Sequence, residues 1–213
     1  MTPEPRTRAP RRDATANREA LLDAAREILN RDPEASLDTI ASAAGLTRRA
    51  VYGHFPSRNT LLAELAERGA ARVAAAVASA GSDDPVLDIA LLGRLVWDEI
   101  EHVRAMTRVV VHGPLRERIG PALGPIHDRL VADAARAARE GSGRSDLPAE
   151  TVAHLVEGAA FTALDESTLA RLSRTDGRRL VLLAGLGALG LSWREAQTLL
   201  AAHRDLLEPE TGR

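Results

Sequence analysis

Helix-stopping and helix-starting residues recur at short intervals along this sequence, and the segments between them carry apolar residues at helical spacing. That pattern leaves room for little except an all-helical fold. Strand signals are nearly absent. Aromatic residues are 2% of the chain, alternating β-branched runs are missing, and the dominant Ala and Leu favour helix.

The spacing predicts a first helix from Thr15 to Asn30, with Leu21, Leu22, Ala25, Ile28 and Leu29 on one face. It ends where Pro33 pushes Asp32 out of the α region. Ser36 caps a short helix, Leu37 to Ala44, closed by Gly45. Thr47 caps another, Arg48 to His54, which stops near Pro56. Ser57 caps a longer one, Arg58 to Ala78. Pro85 opens a helix to about Val111, ended by His112-Gly113-Pro114. A short helix and a Gly/Pro bend are expected before a helix from Pro125 to Glu140. Gly141 to Ser145 reads as a loop. Pro148 opens a helix to about Ser173, and Asp176 starts the next. Ser192 and Glu195 make a capping box for a last helix ending near Leu207.

Apolar residues are 45% of the 213, enough for a sizeable core. The longest clean apolar run, Leu180 to Leu191, is well short of the roughly 20 residues a membrane span needs. No secretory signal is expected either, so the default expectation is a cytoplasmic protein without membrane contact. With no cysteine, disulfides, thiolate metal sites and a Cys nucleophile are excluded. The net charge of −2 is divided unevenly: residues 1–60 carry +2 and residues 61–213 carry −4. Residues 1–14 read as a flexible basic arm, whose Arg11 and Arg12 suit a polyanion.

Residues 36–55 read S-L-D-T-I-A-S-A-A-G-L-T-R-R-A-V-Y-G-H-F. This is a short helix, a glycine turn and a second short helix, with Ile40, Ala41, Ala44, Leu46 and Val51 placed to set the crossing. It is the pattern of a helix-turn-helix. The second helix begins Thr47-Arg48-Arg49, a polar start that fits the major groove. There Arg can form two hydrogen bonds to a guanine edge.

The run from Leu37 to Leu62, ending V-Y-G-H-F-P-S-R-N-T-L-L, resembles the DNA-binding domain of TetR-type repressors, most strongly over residues 18–65. The resemblance implies an all-helical fold. Residues 15–60 would be the DNA-binding domain, and residues 61–213 would be a ligand-binding and dimerisation domain. It implies that Thr47, Arg48 and Arg49 approach bases or flanking phosphates, and that Thr39, Tyr52, His54 and Arg58 contact phosphates. Phe55 would plug the core. Gly53 stands where the family often has an aromatic residue, so the end of the recognition helix is expected to be loose.

A single such module makes few contacts, so a homodimer on a near-palindromic double-stranded operator is expected. Val152, Val156, Ala159 and Ala163 form one small-residue stripe. Leu182, Gly185, Leu186 and Leu189 lie in the following run. Both suit a dimer interface, and the resemblance implies that two such helices pair across it. Glu99, His102 and Met106 lie together at the edge of one apolar face, and His154, Glu157 and Phe161 on another. If the faces converge, they line a pocket for a small-molecule effector. No metal site is expected, because no two His lie at i, i+4. No cofactor is expected. Gly185-Leu-Gly-Ala-Leu-Gly190 matches a dinucleotide fingerprint in letters alone, since no strand precedes it. Two rivals are an architectural DNA binder and a helical enzyme with a vestigial DNA-binding module. The second lacks a catalytic constellation.

Overall fold

A computed structural model describes residues 9–103 and 115–208. Among these residues it contains nine α-helices and no strand. They are α1 (Ala9–Arg31), α2 (Leu37–Ala43), α3 (Arg48–His54), α4 (Arg58–Ala78), α5 (Pro85–Ile100), α6 (Arg116–Glu140), α7 (Ala149–Leu169), α8 (Arg174–Leu189) and α9 (Trp193–Ala202). Short 3₁₀ turns follow α5 and α9. No helix among the described residues is long and apolar enough to cross a membrane.

The caps read from the sequence are in place. Ser36, Thr47 and Ser57 each accept a backbone N–H three residues on. Gly45 takes the left-handed conformation, φ +68°, that lets the chain turn between α2 and α3. Ser192 and Glu195 form the capping box of α9.

Other boundaries differ for identifiable reasons. The first helix starts at Ala9, ahead of Thr15, so part of the expected flexible arm is helical. Arg11 and Arg12 lie on that helix but outside the residues whose side chains are described. The helix from Pro85 ends at Ile100 and gives way to a 3₁₀ turn. Met106 and the side chain of His102 lie outside the described residues. Instead of a bend before Pro125, α6 runs unbroken from Arg116 and contains Pro121 and Pro125. Each proline removes an intrahelical hydrogen bond. Packing offsets that loss, because Ile119 and Leu123 lie in or against one core and Leu130 and Ala134 in another. The long C-terminal helix stops at Leu169. Ser173 rather than Asp176 caps α8, accepting from the Asp176 N–H at 3.1 Å.

Two main cores organise the chain. The first joins α1–α4 around Leu21, Leu29, Ile40, Val51 and Phe55. The second joins α5–α9 around Leu92, Leu130, Val152, Leu186 and Leu200. Only α4 and α6 contribute buried residues to both: Leu61, Leu65 and Val77 from α4, and Ile119, Leu130 and Ala137 from α6. A third, smaller cluster surrounds Trp97.

Most of the residues expected at a dimer interface face the chain's own interior. Val152, Val156, Ala163, Leu182, Gly185, Leu186 and Leu189 are all buried within the single chain. Small residues at these positions let α7 and α8 pack on each other. A Cβ built on Gly185 would lie 3.7 Å from Val156 Cγ1. Only Ala159 of the eight is partly exposed. The outward face of α7 instead presents Leu155 and Leu169, 42% and 63% exposed.

A buried ionic group ties the α4–α5 connection to α6. Arg129 donates to both oxygens of Asp88, at 2.7 and 2.6 Å, and to the Val77 carbonyl at 2.8 Å. Burial alone would raise the Asp88 pKa. Hydrogen bonds from Arg129, Asp133 and the Ser82 N–H lower it instead. Asp133 is 4% exposed. Burial and its hydrogen bond to Asp88 push its pKa up to about 7.

Candidate nucleic-acid interface and an adjoining cavity

The surface formed by α2 and α3 follows from the caps. Thr47 caps the start of α3, accepting from the Ala50 N–H at 3.3 Å. The first N–H groups of α3 therefore point outward beside Arg48 and Arg49, an arrangement that favours an anion. Both arginines are exposed. Arg48 lies 3.1 Å from Asp38 Oδ2 and over the Tyr52 ring at 5.5 Å. Arg49 has no ion pair among the described residues. Tyr52 is 42% exposed, and Thr39, 2.8 Å from the Ser36 hydroxyl, is exposed as well. His54 is half-buried at the end of α3.

Arg58 is placed differently. Its Nε donates to the Ala35 carbonyl at 3.0 Å and its Nη2 to the Pro33 carbonyl. Those carbonyls belong to the α1–α2 connection, so Arg58 clamps that loop with two of its five N–H groups. Gly53 does not loosen α3, which stays helical through His54. A Cβ at Gly53 would meet nothing within 4 Å. Phe55 is 1% exposed, as a core plug should be.

Arg18 carries no local sequence signal, yet it holds this module together. It lies over the Phe55 ring at 4.4 Å. It donates to the His54 carbonyl at 3.1 Å, satisfying the C-terminus of α3, and it pairs with Glu64 on α4. Arg68 adds a bidentate link from α4 to Glu19 on α1, at 2.6 and 2.9 Å. The hydrogen bond from Arg68 lowers the Glu19 pKa.

Beside this module lies a cavity of about 500 Å³. Leu65, Gly69 and Val73 of α4 wall it on one side and Ile119, Leu123 and Ile126 of α6 on another, with α5, α7 and α8 completing it. Its wall is mostly apolar. Glu99, His154, Glu157 and Phe161, expected from two separate helix faces, all line it. Glu99 lies 3.5 Å from Arg72 across α4 and α5.

His127, not singled out from the sequence, sits beside them. Its Nδ1 is 2.9 Å from Glu157 and its Nε2 is 3.0 Å from Glu150. The hydrogen bond to Glu150, then that to Glu157, raises its pKa. His154 stands beside it, ring centroids 4.7 Å apart. His127, Glu150 and His154 place ligand-type atoms within 4.8 Å of one another. The parts of this group come from two helices, so no i, i+4 pair of His marks it in the sequence.

The family model for bacterial regulatory proteins of the tetR family matches residues 21–65, which span α1 from Leu21, the helix-turn-helix and the start of α4. No curated protein matches the sequence. Among solved structures, SmeT, the repressor of the Stenotrophomonas maltophilia multidrug efflux pump SmeDEF, is similar at TM-score 0.61 and 24% identity, over 83% of this chain and 91% of that one. The fatty acid degradation regulator FadR from Bacillus halodurans is similar at 0.66 and 16%, over 83% and 97%. LfrR from Mycobacterium smegmatis, solved in complex with proflavine, is similar at 0.62 and 20%, over 85% and 99%. At these identities the likeness is one of fold.

Proposed function

We propose that the chain, whose residues 21–65 match the model of the tetR family of bacterial regulatory proteins, is a dimeric, ligand-responsive transcriptional regulator, and most simply a repressor. Thr47, Arg48 and Arg49 read base edges in a near-palindromic operator, while Thr39, Tyr52 and His54 engage phosphates. Arg11 and Arg12 engage the same polyanion. A small molecule in the cavity releases the DNA. The protein acts where the chromosome is, in the cytoplasm, and it is a regulator rather than an enzyme.

One observation carries the ligand-responsive part. The cavity is walled by α4 and α6, the two helices whose buried residues also enter the core of the DNA-reading module. An occupant that favours one position of these helices shifts the spacing of the two DNA-reading heads. The dimer forms through the outward face of α7, where Leu155 and Leu169 are exposed.

Selecting random duplexes with the purified protein tests this reading. A palindromic motif should emerge, and Arg49→Ala should weaken binding to it by tenfold or more, the worth of a lost bidentate guanine contact, with the dimer intact by light scattering. Salt-dependent binding without sequence preference would overturn it in favour of an architectural DNA binder.

A further inference from the structure

We propose that His127, Glu150 and His154 form a site for a divalent transition-metal ion, best matched by Zn²⁺, with Glu157 positioning His127. Glu150, His154 and Glu157 sit at i, i+4 and i+7 on α7, so they share one face, and α6 supplies His127 opposite it. Two imidazoles and one carboxylate are a ligand set that zinc accepts.

Glu157 accounts for the orientation. A metal-bound imidazole ordinarily donates its other ring N–H to a carboxylate, which fixes the tautomer and turns the free lone pair toward the ion. Here Glu157 lies 2.9 Å from His127 Nδ1, which leaves Nε2 facing Glu150 at 3.0 Å and the neighbouring His154. A protonated His127 bridging Glu150 and Glu157 is the simpler alternative, but it gives His154 no role. His154 stacks against His127 at 4.7 Å, with rings tilted 33°, and has no hydrogen bond among the described residues. Beside a shared cation a second imidazole is a further ligand.

The fit requires only a small closure. Ligands about 2.0–2.1 Å from a tetrahedral ion lie roughly 3.4 Å apart, and the widest separation here is within 4.8 Å. Because His154 and Glu157 also line the cavity, the fourth coordination position opens toward it, available to water or to a donor atom of an effector. The metal site rests on its own geometry. Only an effect of the ion on operator affinity would depend on the regulator reading.

The test uses the full-length, tag-free protein, stripped of metal and titrated with Co²⁺ and Zn²⁺ without DNA. The expected result is one ion per chain, with the visible bands of four-coordinate Co²⁺, displaced by Zn²⁺. His127→Ala and His154→Ala should each abolish the bands. Glu157→Gln should weaken binding roughly 10- to 100-fold, the usual effect of losing such a partner. Glu150→Gln alters an exposed side chain and should also lose the bands, so the test does not hang on a variant that fails to fold. Absence of stoichiometric binding, or binding unchanged in both His variants, overturns the proposal. Operator affinity measured separately keeps that failure distinct from failure of the regulator reading.

Discussion

Asp133→Asn should make the protein more stable at pH 8, although it removes a buried charge 3.7 Å from Arg136. The Asp133 pKa is raised to about 7 from 3.8. A group raised on folding holds its proton in the native state while the unfolded chain releases it. Its stabilising contribution is therefore complete below the unfolded value, fades as pH rises toward the folded value, and is gone above it. At roughly 1.4 kcal/mol per pKa unit, the part lost between pH 5 and pH 7 is about 3 kcal/mol. An Asn side chain has no proton to lose, and its NH₂ can donate to Asp88 as the protonated Asp133 does. The difference between variant and wild type at one pH cancels the other titrating groups. Urea titrations followed by circular dichroism at pH 5, 6, 7 and 8 should show the variant gaining over wild type by about 3 kcal/mol between the first and last. A variant less stable than wild type at pH 8, or a difference flat with pH, would refute the assignment of the proton to Asp133.

Other substitutions separate the fold's requirements from those of DNA recognition. Arg58→Ala should lower stability by about 1–3 kcal/mol, since it leaves the Ala35 and Pro33 carbonyls without their charged donor. Chemical denaturation would show the loss, and the salt slope of DNA binding should change little. Gly53→Ala should stabilise by about 0.5–1 kcal/mol, because a helical glycine gives way to a better helix former in open space. A raised melting temperature is the readout. Gly177→Ala should destabilise by about 1–3 kcal/mol, since its Cβ would stand 2.9 Å from Trp97 Cζ2 and closer still to the ring edge. Tryptophan fluorescence should report the displaced ring.

The DNA-reading module was legible in the sequence because its signals are local. Ser36, Thr47 and Ser57 each cap within three residues of their own position, and Gly45 marks a turn no other residue makes as readily. Such features do not depend on what the rest of the chain does. The C-terminal body was legible only in outline. A stripe of Val152, Val156 and Ala163 on α7 looks the same whether it meets a second chain or α8 of its own, and only the fold shows that α8 covers it. Pro121 and Pro125 end helices by local rules, yet α6 passes through both because its two halves are anchored in different cores. The partners of His127 lie on α7, so nothing near it in the sequence announces them. The helix that ignores its prolines is also the one that walls the cavity, enters the DNA-module core and carries His127. A segment with two intrahelical hydrogen bonds missing deforms more readily than its neighbours. That puts the helix lacking those bonds in contact with both the cavity and the core of the N-terminal module.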